Sequence, residues 1–230
     1  MLIFALIAAG LVIAGFMGTF FIPLARRTFS APWFVYVHGA LFFSWISLLI
    51  AQAGLVANRK VAAHRRLGQV AVFLIPLMIL SALAVIFWST ARDYRAGQGD
   101  QVISAFFGEL MDVAMFACFA TAAIQFRRRP MWHKRLILLA TLAVLGAAVG
   151  RIHVFRHRLG DAGNYVTLSL LAAIIVYDVV REGRPHMITV AGGAAFVVGV
   201  FTENLLGSTP LWLAFGAKLA TRVHFGMPPN

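Results

Sequence analysis

The stretch Leu67 to Ser89, LGQVAVFLIPLMILSALAVIFWS, runs 23 residues without an acid or a base. At about 1.5 Å per residue a helix of that length reaches about 35 Å, enough to cross the roughly 30 Å hydrocarbon core of a bilayer. The same pattern recurs along the chain, short charged clusters alternating with apolar runs. The spans read this way are Leu2 to Ala25, Trp33 to Val56, Leu67 to Ser89, Val102 to Phe126, Leu136 to Phe155, Tyr165 to Val180 and Met187 to Leu206. A further piece, Pro210 to Leu219, is too short to cross and reads as an interfacial or re-entrant helix.

Composition supports this reading. With 61% hydrophobic and 12% charged residues, and a mean hydropathy of +0.85, the chain has too little polar surface to cover a soluble domain. The apolar runs are continuous and do not alternate, which excludes the strands of a membrane barrel. The expected fold is all-α: one polytopic transmembrane helix bundle over residues 1–230, with about seven spans and a short C-terminal helix. No base and no small-residue cleavage site precede the first run, so a retained span is expected rather than a signal peptide.

The formal charge of +12 does not indicate nucleic-acid binding, because the bases sit in loops beside the spans, where they meet anionic headgroups and set topology. Alternate loops carry eleven bases on one face, among them Arg59, Lys60, Arg65, Arg66, Arg127 to Arg129, Lys134 and Arg135. The other face carries seven, from Arg26 to Arg158. This bias places the N-terminus and the basic loops in the cytoplasm of a bacterial cell membrane, with the C-terminus outside. Cys118 is the single cysteine, so no internal disulfide forms.

Two segments repeat one pattern 69 residues apart: Arg59-x4-His64-Arg-Arg-Leu67 and Arg128-x4-His133-Lys-Arg-Leu136. Each lies between two spans on the basic face. His64 and His133 either mark helix starts and snorkel to phosphates or jointly hold a ligand at one depth.

Ionisable groups inside the spans require explanation. His38, Trp45 and Gln52 follow at intervals of seven, which puts them on one stripe that should face the bundle interior. Glu109 and Asp112 share a face of span four and repel unless a proton, a cation or an arginine intervenes. Span five ends with Arg151, His153 and His157. Gly146 and Gly150 continue the face of the two histidines as a small-residue groove, suited to a close helix or a flat ligand. Glu203, near the end of span seven, joins the same layer. His38, Glu109, Asp112, Arg151, His153, His157 and Glu203 are therefore expected to converge in the outer third of the membrane. Asp178, Glu182 and His186, at the other end, read as a second small site or, as the commoner case, a solvated helix end beside Arg181 and Arg184.

The combination His38-Gly39-x5-Trp45-x6-Gln52, His64-Arg-Arg-Leu-Gly68 and His133-Lys-Arg-Leu136 resembles a broad family of uncharacterised bacterial multi-span membrane proteins. The likeness extends to the ending Thr209-Pro-Leu-Trp-Leu-Ala-Phe215. That family implies no activity. A looser likeness is to membrane b-type cytochromes, and it implies haem b held by His38 with His153 or His157, and by His64 with His133. The chain departs from them in having no histidine in span four.

Three functions are compatible with these residues. The first is a haem- or metal-binding redox protein working with a quinone. His38, His153, His157 and Glu203 would serve as ligands, and Arg151 would pair a propionate or carboxylate. The second is a membrane enzyme that acts on a lipid or isoprenoid through Glu109 or Asp112 as proton donor. The third is a non-catalytic role as transporter, sensor or accessory subunit of a larger complex. No P-loop, protease triad, nucleotide fingerprint or paired cysteine motif is present.

Overall fold

The computed structural model describes residues 1–152 and 162–225, and among them every regular element is a helix. In chain order these are α1 (Leu2–Ala25), α2 (Trp33–Ala57), α3 (Val61–Gln98), α4 (Asp100–Gln125), α5 (Pro130–Val149), α6 (Ala162–Glu182), α7 (Met187–Leu206) and α8 (Pro210–Arg222). The first seven are long and apolar enough to cross a membrane. Helix α8 has 13 residues and, at about 20 Å, is too short to do so. It lies against the ends of α3 and α4. Trp212 donates its indole N–H to the Ile103 carbonyl at 2.9 Å, and Arg95 donates to the carbonyls of Thr221 and Val223 at 3.1 and 2.6 Å.

Two spans begin earlier than hydropathy alone indicates. Pro130 starts α5 six residues ahead of Leu136, because its fixed φ suits a first helical turn where a missing N–H costs nothing. This draws His133, Lys134 and Arg135 out of the loop and into the helix. Helix α3 likewise starts at Val61, so His64, Arg65 and Arg66 lie in its first turns, ahead of an interruption at Gln69. The expected end of span five, beyond Ile152, lies outside the described residues.

Helix α5 is the axis of the bundle. Eleven of its 20 side chains are buried, from Arg135 to Val149, and it packs against α1, α4, α6 and α7. The other crossing helices present large apolar side chains outward, such as Ile3, Phe73, Leu80, Val180 and Phe201, as lipid contact requires. Small residues make the central position possible. Ala140, Thr141, Ala143, Gly146, Ala147 and Ala148 keep the α5 surface low, so neighbouring backbones approach closely. The closest approach is between Gly15 of α1 and the Ala148 carbonyl, where even a methyl group on Gly15 would overlap backbone atoms. Replacing Gly15 by Ala is therefore expected to part α1 from α5 and to cost about 1–3 kcal/mol, the usual penalty of overpacking. A lower melting temperature of the purified protein in detergent, relative to a Gly10→Ala control with open space around it, measures the effect.

Candidate functional site

The length of α4 sets the depth of its acids. Its 26 residues span about 39 Å, and Asp112 is at the midpoint of the helix, deeper than the outer third expected from the sequence. Glu109 is one turn nearer the end that also carries Asp93, Glu203 and α8, here called the acidic end.

The two carboxylates do not share a pocket. Side chains three positions apart on a helix diverge by about 60°, and here they meet different neighbours. Glu109 lines an open groove of about 210 Å³ between α3 and α4, with Ser89, Thr90, Asp93, Gln98 and Gln101. Asp112 lines a smaller cavity of about 30 Å³ among α4, α5, α6 and α7, with Glu203, Asn164, Thr167 and Phe196. The cavity has room for about two waters, given the roughly 10–15 Å³ that one needs.

Two glycines shape that cavity. A methyl group on Gly108 would overlap the Glu203 carboxylate, so the missing side chain of α4 is what seats this acid of α7. A methyl group on Gly146 would stand 3.9 Å from Asp112 Oδ2 and 4.0 Å from Thr167 Oγ1. The small-residue face of α5 thus adjoins the half-buried Asp112 carboxylate at ordinary contact distance. Glu109 and Glu203 both act electrostatically on Asp112, and Asp112 makes no hydrogen bond or ion pair with any described residue.

The remaining members of the expected layer lie elsewhere. His38 is half-buried between α2 and α3, its Nδ1 3.4 Å from the Ser81 hydroxyl and its ring 4.3 Å from the Phe42 ring. It borders neither the groove nor the cavity. Arg151 is exposed just past α5, with its guanidinium 5.0 Å from the Phe16 ring and bonded to the Ala147 carbonyl. It acts at longer range on His38 and Glu109. His153 and His157 lie outside the described residues. The single pocket expected from the sequence is therefore replaced, for the described residues, by a groove at Glu109, a cavity at Asp112 and Glu203, and a separate contact at His38. Among the described residues no group of three or more His, Cys, Asp or Glu side chains is arranged to hold a metal ion. Of the predicted stripe on α2, Trp45 is buried and donates its indole N–H to Thr141 Oγ1 of α5 at 3.3 Å, a bond between helices.

The strongest polar cluster is at the opposite, basic end. Arg135 of α5 and Asp178 of α6 are each 1% exposed and form a fork, Nε to Oδ2 at 3.0 Å and Nη2 to Oδ1 at 2.6 Å. Glu182 accepts from the same guanidinium at 2.6 Å, and Thr189 of α7 donates to Asp178 Oδ2 at 2.6 Å. This corrects two expectations: Arg135 is not a loop base, and the end of α6 is not simply solvated. The signal was present in the sequence. An acid flanked by Val176, Tyr177, Val179 and Val180 inside a span requires a cation. Arg181 and Arg184, the bases considered, follow it on the outward surface, whereas the true partner is 43 residues upstream.

Comparison with protein-family models, with curated proteins and with solved structures returned no match for this chain.

Two predictions follow from the basic end. Arg135→Leu leaves Asp178 buried without its cation and is expected to cost about 3–5 kcal/mol, much of it regained in Arg135→Leu/Asp178→Leu; unfolding of the three proteins in detergent gives the comparison. His186, between α6 and α7, accepts the Ile188 N–H on Nδ1 at 3.2 Å. Burial, then the nearby Arg135 charge, holds its imidazole below the usual histidine range. The unfolded chain then binds the extra proton more readily, so this stabilisation is complete above the unfolded value of about 6.5 and is lost as pH falls through the lower folded one. His186→Asn, which keeps a cap acceptor, should flatten that acid limb in melting temperature against pH.

Proposed function

We propose that this chain is an integral membrane protein that carries a proton at Asp112 as part of moving a solute or charge across the bilayer. One observation supports the reading above others. Asp112 sits at the midpoint of a crossing helix, its carboxylate lines a small cavity that has no base among its described lining residues, and two further acids, Glu109 and Glu203, act on it from the side of the acidic end. A bare carboxylate is expensive at that depth, and intramembrane acids of this kind are characteristic of proton relays. Glu109, one turn nearer the acidic end and open to the groove, supplies an intermediate stop between the surface and the membrane centre. The bias of basic loops makes the acidic end the outer one.

The opposite half of the bundle is closed. Leu74, Ile75, Ala120, Leu138 and Ile174 belong to the apolar core there, and the Arg135–Asp178 fork ties α5 to α6 beneath them. A groove that opens at Glu109, one turn from the half-buried Asp112, with a packed core on the opposite side, suits an alternating-access carrier. Acid catalysis on a lipid at Asp112 fits less well, because the cavity beside it holds only about two waters.

The test is direct. Infrared spectra of the purified protein in nanodiscs are expected to contain a protonated-carboxyl band that follows pH and disappears in Asp112→Asn. In proteoliposomes loaded with a pH-sensitive dye, the same variant should lose proton movement. Spectra and proton movement that are identical in wild type and variant refute the proposal.

A further inference from the structure

At the basic end, the two histidines of the internal repeat meet. The His64 ring, at the start of α3, and the His133 ring, at the start of α5, stand 6.5 Å apart between centroids at an interplanar angle of 80°. His133 Nδ1 lies 2.8 Å from the Ala123 carbonyl oxygen, near the end of α4. A carbonyl only accepts, so Nδ1 carries the hydrogen and the neutral ring keeps its lone pair on Nε2. The His64 ring lies against the backbone of Gln52, near the end of α2. Each repeat therefore sets its histidine against the end of the preceding helix.

That arrangement uses one nitrogen of a ring and leaves the other. Among the described residues, His64 Nδ1 is buried with no hydrogen-bond partner, and so is Gln52 Oε1. The Gln52 amide packs against Gly68, one turn beyond His64, which keeps the two orphaned atoms at one helix junction. Buried polar atoms are normally satisfied. An amide oxygen and an unprotonated imidazole nitrogen both offer a lone pair, which either a hydrogen-bond donor or a metal ion can take up.

We infer that His64, His133 and the Gln52 amide oxygen form a binding site for one imidazole-seeking transition-metal ion, of the Cu(I) or Zn(II) class. Imidazole suits both metals. A ring held by a backbone carbonyl through its other nitrogen, as His133 is, has the outer support that ligating histidines commonly have. With metal–nitrogen bonds of about 2.0–2.1 Å and about 1.1 Å from nitrogen to ring centre, two imidazoles on one ion stand up to about 6.4 Å apart, so the rings, at 6.5 Å, must move slightly together to share an ion. A straight nitrogen–metal–nitrogen line, as in two-coordinate Cu(I), needs the least movement, and Zn(II), with the Gln52 oxygen as a further ligand, would draw the rings closer. Arg65, Arg66 and Lys134, adjacent in sequence, oppose a highly charged ion and favour the monovalent one.

The site is separate from Asp112, and the experiment keeps the two apart. Wild-type protein in nanodiscs is titrated anaerobically with Cu(I), and in parallel with Zn(II), against a chromogenic chelator. One equivalent of either metal is expected to bind to wild type and to Asp112→Asn alike. Affinity should fall at least about tenfold in His64→Gln and in His133→Gln, since losing even an outer-shell partner costs that much. Gln52→Leu removes a ligand while leaving both rings against their carbonyls, so weaker binding in that variant supports the site even if a histidine variant misfolds. X-ray absorption should show imidazole nitrogens on the bound metal. Failure of wild type to retain either metal, or equal retention by wild type and the His64→Gln/His133→Gln double variant, overturns the inference.

Discussion

Hydrocarbon supplies no hydrogen-bonding partner, so each polar group below the headgroups must find one inside the protein or take one up from outside. This constraint organises the molecule. Arg135 and Asp178 meet it by pairing with each other, with Glu182 and Thr189 completing the set. Trp45 and Thr141 meet it across α2 and α5. Asp112, His64 Nδ1 and Gln52 Oε1 do not meet it with described protein atoms, and chemistry is to be sought at those places. The paired groups hold helices together, and those without a described partner are at the sites proposed above.

Both kinds of site depend on α5. Its small residues allow α1, α4, α6 and α7 to approach on several sides. Its first turns supply His133 and Arg135, its middle supplies Thr141, and Gly146 adjoins Asp112. A bulkier helix in this position would fill the cavity and push its neighbours outward. The apolar stretch from Leu136 to Ala140 stands between the basic cluster and the acidic cavity.

The spans were legible in the sequence because apolar length is a strong signal and little else produces it. The first and the seventh were read with the bounds that the structure shows, Leu2–Ala25 and Met187–Leu206. The start of α5 was not, because a charged segment such as His133-Lys-Arg135 reads as loop even when Pro130 has already begun a helix. The chemistry-bearing residues were legible as types and only coarsely as positions. Glu109 and Asp112 are close in sequence, yet the turn between them sends one toward α3 and the other toward α5 to α7. Periodicity cannot reveal which neighbour stands beside each face. For the same reason the partner of Asp178 was sought nearby in sequence and is on another helix.

The separation of Arg135 from Asp178 also bears on how the protein is made. Arg135 is synthesised 43 residues before its acid, so α5 reaches the insertion machinery with a cation and no counter-ion. Its long side chain can reach the headgroups in the interim, which would hold the young helix off its final depth. Only when α6 has followed, and α7 has brought Thr189, is the guanidinium able to sink to its buried place. The basic end of the central helix is thus fixed only after α6 and α7 are made, and chains interrupted before Asp178 should be left with that helix unseated.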